Sequence, residues 1–119
     1  MKQLLHDTVE SCQKYMPKLI KAIEEVSCQL HSSNESKALA RLPQIFEGLQ
    51  WVLDAIQEIQ KFYNILEVNV EDLTVILKEL EQAIKSRDYV LMADLFEYEI
   101  KPVLKKWLDE VNSCNGVKQ

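Results

Sequence analysis

Leu5, Val9, Cys12, Met16, Leu19, Ile23, Val26 and Leu30 follow one another in alternating steps of four and three residues. A half-buried strand needs steps of two. A 4-3 seam instead keeps one side of an α-helix turned toward a neighbour. One helix cannot bury such a stripe alone, so the chain must fold as packed helices. Pro17 falls inside the seam. Because the register continues across it, the pattern predicts one kinked helix rather than two meeting there.

The pattern returns three times. Leu42, Ile45, Leu49, Val52, Ile56, Ile59, Tyr63 and Leu66 form a second seam, widened by Gly48, Trp51, Ala55, Phe62 and Ile65. Ser32 to Glu35 reads as a Ser-x-x-Glu capping box that opens this helix. Pro43 lies soon after, so its first turns could form a separate short piece. Val70, Leu73, Leu77, Leu80 and Ile84 make a third, shorter seam, with Asn69 as its cap and Ile76 and Ala83 beside it. Asp88 can cap a fourth helix with a core stripe of Tyr89, Ala93, Phe96, Ile100, Val103, Trp107 and Val111. Residues 112–119, with Gly116, read as a frayed tail.

Helices over about 2–31, 33–66, 70–86 and 88–112, joined by short connections, specify an all-α fold. The expected architecture is an antiparallel up-down-up-down four-helix bundle with proline-kinked helices, a single domain over 1–119. Two glycines and three prolines are too few for a many-turned β protein.

The fourth helix carries apolar residues on two faces. Leu91, Leu95, Tyr98 and Pro102 form a second stripe, roughly 140° from the first. It is confined to the front half, since Lys105 and Asp109 occupy the equivalent positions further on. Left in water, these four side chains make an apolar patch of the kind that marks an interface. They are the candidate interface, with self-association as a homodimer the simplest use. Trp51 and Phe62 are a weaker candidate, either peripheral core or an apolar groove for a partner helix.

Catalytic and ligand chemistry finds little support. A bundle di-iron site needs Glu-x-x-His on two helices, and neither His6 nor His31 follows a Glu by three. Cys28-x-x-His31 has metal-like spacing but no second pair to complete four ligands. Asp94, Glu97 and Glu99 read as a solvated helix face. Glycine-rich phosphate loops are absent. No catalytic residue, cofactor or metal is expected, and the chain is read as non-enzymatic. A net charge of −5 with no basic stripe argues against nucleic acid and against an anionic membrane surface. No apolar run reaches the ~20 residues a membrane span requires. The N-terminus lacks an apolar signal region, and three cysteines cannot all pair, so reduced thiols in the cytoplasm are expected. Cys12 sits on the seam, whereas Cys28 and Cys114 are expected to be open to solvent.

The run from Asp88-Tyr89 through Asp94-Leu95-Phe96-Glu97-Tyr98-Glu99-Ile100-Lys101-Pro102 to Trp107 resembles a stretch of small, uncharacterised helical-bundle proteins of Gram-positive bacteria. That resemblance implies a bundle and no activity. In overall pattern, though in no motif, the chain is also similar to flagellar and secretion export chaperones. Three readings follow from the sequence. The first is an interaction module that self-associates or binds a helical protein partner through the last helix. The others are an export-chaperone-like bundle holding a client, and a small ligand-binding bundle.

Overall fold

A computed structural model describes residues 2–62 and 68–114, with side chains from His6 onward. Among the described residues it contains four helices and no strand. They are α1 (Lys2–His31), α2 (Glu35–Gln60), α3 (Glu71–Lys85) and α4, which runs from Tyr89 to Ser113. A helix of 30 residues is about 45 Å long. The molecule measures 48 × 22 × 19 Å, so α1 sets its long axis.

Contacts between helices fix how they face one another. Arg41 reaches Glu25 at 2.9 Å, and Trp51 meets the ring of Tyr15 edge-on at 5.3 Å. Higher positions on α2 therefore meet lower positions on α1. The same holds between α1 and α4: Gln13 Nε2 donates to the Val111 carbonyl at 3.5 Å, and Glu24 pairs with Lys101 at 3.2 Å. Helix α1 packs on α2 along one flank and on α4 along the other, and α3 packs on the front part of α4.

A single apolar cluster joins all four helices. On α1 it takes the expected seam from Val9 to Leu30, and on α2 the seam from Leu42 to Ile59. Leu5 lies in α1, but its side chain is outside the described ones. Pro17 and Pro43 both sit on exposed positions of unbroken helices, so the early part of α2 is not a separate piece. Gly48 leaves room for two side chains of α1. A Cβ there would collide with the Tyr15 hydroxyl and stand 3.0 Å from Leu19 Cδ1, so a larger residue would require the Tyr15 side chain to move.

Several boundaries differ from the sequence reading. The capping box does not form. Ser32 Oγ donates backward to the carbonyls of Cys28 (2.9 Å) and Gln29 (3.3 Å), so it closes α1, and α2 begins at Glu35 without a side-chain cap. Ser33 (φ 61°) and Arg87 (φ 54°) hold the left-handed conformation that ends α1 and α3. At α3 the Asp88 amide donates to the Ala83 carbonyl and the Arg87 amide to that of Ile84, a Schellman closure without glycine. Helix α2 ends at Gln60, six residues before the expected limit; Tyr63, Ile65 and Leu66 lie outside the described residues. Asn69 Oδ1 accepts from the Glu71 amide at 3.0 Å, but the N-cap position of α3 is Val70, which offers no side-chain cap. On α3 the buried line is Leu73, Ile76, Leu80 and Ala83. Leu77 and Ile84 are displaced to its edge, where they line a cavity of about 240 Å³ with Phe46 and Leu49. The expected tail is helical through Ser113, and Cys114 is fully buried.

Candidate interaction surface

Helix α4 starts where expected: Asp88 Oδ1 accepts from the Leu91 amide at 3.1 Å. It then departs from a uniform α-helix. Tyr89–Asp94 is α-helical, Leu95–Ile100 is a π-helical turn, and Lys101–Ser113 is α-helical again. In the wide turn the amide bonds five residues back; the Lys101 amide donates to the Phe96 carbonyl. Pro102 follows in the first turn of the next α segment, where a missing donor is tolerated.

This turn redistributes the two stripes. More residues per turn bring Leu95 and Phe96 together into the core, with exposures of 4 % and 0 %. A regular 3.6-residue period puts Leu95 on the outer stripe; in the structure it belongs to the core. Met92 and Leu104 are buried as well, while Tyr89 and Val103, expected on the core face, are half-buried. Three members of the outer stripe stay outside. Leu91 is 39 % exposed, Tyr98 is 68 % exposed, and Pro102 is exposed, with Val90 beside them.

Polar contacts hold the inner side of this turn to α1. Ser27, the one buried polar residue among the described residues, donates from Oγ to the Ala93 carbonyl at 3.1 Å, just before the wide turn. Lys101 lies 2.9 Å from Glu97 and 3.2 Å from Glu24, and its side chain is largely covered. The Glu97 carboxylate raises its pKa above the ordinary lysine value; burial opposes this, and Glu24 adds to the rise. His31 Nε2 stands 3.8 Å from Asp94 Oδ1. These contacts fix the orientation of α4 and so determine which of its side chains face outward.

Around Trp51 the surface is different. Its ring meets that of Tyr15 at an interplanar angle of 73° above Gly48. Ser11, Gln44 and Glu47 complete an open hollow of about 450 Å³. Phe62 is exposed in the turn after α2 and does not line this hollow, so the two aromatics do not form one groove. Cys28 is exposed on α1. Among the described residues no three His, Cys, Asp or Glu side chains are grouped so as to hold a metal ion.

Fold and surface together define a small all-α protein: among the described residues, four helices surround one apolar core, with Tyr98 displayed on the π turn and Leu91 on the α-helical turn before it. Among the described residues no helix is long and apolar enough to cross a membrane. A family model described as a domain of unknown function, DUF8042, matches residues 7–110, and the chain belongs to that family. No curated protein and no solved structure matches the chain.

Proposed function

We propose that the protein is a non-enzymatic, cytoplasmic interaction module that self-associates through the outer face of α4. The domain is read as an antiparallel up-down-up-down four-helix bundle. The reversed order of contacts along α1–α2 and α1–α4 supports that reading. One observation carries the functional reading: Leu91, Tyr98 and Pro102 remain outside although their neighbour Leu95 is drawn into the core. Burial of an outward Tyr beside aliphatic side chains is a recurrent way of anchoring an interface.

Charge along α4 favours a second copy as the occupant. Asp88, Asp94, Glu97 and Glu99 outnumber Lys101 before Pro102, while after it Lys105 and Lys106 come first and Asp109 and Glu110 balance them further on. Two copies running in opposite directions about a two-fold axis near Tyr98 would set Leu91 of each against Pro102 of the other. Lys105 of each would then reach the Asp88 end of its mate. Three cysteines, which cannot all pair, suit a reducing compartment.

The test is a double substitution, Leu91→Glu with Tyr98→Glu, followed by light scattering and circular dichroism. Dimeric wild type and a folded, monomeric variant are expected. A wild type that stays monomeric at high concentration, or a variant that stays dimeric, rejects the reading.

A further inference from the structure

At the end of the molecule where α1 begins and α4 finishes, two thiols are buried together. Three contacts set the register of these helices: Gln13 with Val111, Glu24 with Lys101, and His31 with Asp94. One step up α1 corresponds to one step down α4. Carried one residue beyond the Gln13–Val111 pair, that register places Cys12 level with the last turn of α4, which ends at Cys114. Both cysteines have 0 % exposure and belong to the same apolar cluster. Cys28, exposed near the other end of α1, is too far along the helix to compete.

We infer that Cys12 and Cys114 are a dithiol that a small-molecule disulfide converts to an intramolecular bond, tying the end of α4 to α1. Cys12 lies close enough to be influenced by Cys114. Burial, and then the charge of Cys114, pushes the Cys12 thiol up to about 11. Burial and the charge of Glu110 raise Cys114. The closed pair is therefore protonated and slow to react, since the thiolate is the nucleophile. Opening of the final turn exposes Cys114 and starts the reaction. Its thiolate attacks one sulfur of oxidised glutathione, the S–S bond breaks, and one glutathione leaves. The Cys12 thiolate then attacks the Cys114 sulfur and displaces the second glutathione. Two protein thiols lose two electrons, and oxidised glutathione gains them as two glutathione thiols. The bond closes a loop of about 100 residues, large enough to restrict the unfolded chain strongly.

The experiment uses the full chain carrying Cys28→Ser, incubated with oxidised glutathione at mildly alkaline pH. Intact mass and thermal melting are read before and after addition of dithiothreitol. Expected are loss of two hydrogen masses, no retained glutathione, and a rise in Tm on the order of 10 °C that the reductant reverses. The same treatment of Cys28→Ser/Cys114→Ser should leave its Tm unchanged. Retained glutathione, disulfide-linked dimers in place of the internal bond, or thiols still free after gentle opening in denaturant would overturn the inference.

Discussion

Leu95 and Tyr98 lie three residues apart on α4, and a uniform α-helix would place them on one outward stripe. The π turn separates them, leaving Leu95 at 4 % exposure and Tyr98 at 68 %. Leu95→Ala removes a buried isobutyl group from between α4 and its neighbours. The lost transfer free energy plus the cavity left behind should cost about 3 kcal/mol, within the range of roughly 2–5 kcal/mol for buried leucines. For a domain of this size, about 4 °C of Tm accompanies each kcal/mol, which gives a fall of roughly 12 °C. Tyr98→Ala removes a ring that contributes little to the monomer and should change stability by about 0.5 kcal/mol or less. Melts followed by circular dichroism at low protein concentration keep association from adding to the difference. Equal responses of the two variants, or a Leu95→Ala melt within about 2 °C of wild type, would show that the wide turn does not form.

Three further outcomes are expected. Thiol labelling of the native protein should be fast at Cys28 alone and slow at Cys12 and Cys114, contrary to the exposed tail implied by sequence; peptide mapping after a timed pulse decides this. Since Cys12 titrates near 11 when folded and near 9 in an open chain, its contribution to stability is complete below pH 9 and fades as pH rises through 11. Melts across that window should fall less steeply for Cys12→Ala than for wild type, and parallel curves would exclude the assignment. Ser33→Gly and Arg87→Gly relieve side chains held at positive φ and should each stabilise by about 0.5–1 kcal/mol in denaturant titrations; destabilisation would mean the left-handed closures are absent.

Helix number and most core positions on α1 and α2 were legible because a 4-3 seam fixes which side of a helix is buried. The departures have local causes. Ser32 has two helix ends within reach, and a Ser-x-x-Glu match does not reveal which one its hydroxyl serves. Cys114 looked like tail because Asn115 and Gly116 follow it, yet its side chain continues the buried line Leu104, Trp107 and Val111. The wide turn in α4 departs from the regular 3.6-residue period on which the two-stripe reading rests. A signal was present: Met92, Phe96, Ile100 and Leu104 recur at a uniform step of four. On a regular α-helix each such step drifts about 40°, so keeping all four in the core requires an underwound turn. Of the expected outer stripe, the exposure of Leu91, Tyr98 and Pro102 was legible, whereas a regular period cannot show that Leu95 turns into the core.

Cross-linking at the proposed axis tests the central claim most directly. Tyr98→Cys in a Cys28→Ser background places one accessible thiol beside the two-fold axis, and Val75→Cys in the same background places one on the exposed side of α3. Both are oxidised under the same mild conditions and examined on a non-reducing gel. Rapid formation of a disulfide-linked dimer by the Tyr98→Cys protein, largely insensitive to dilution and absent from the Val75→Cys protein, is the predicted result. Equal cross-linking at both positions, or none at position 98, would contradict self-association through this face.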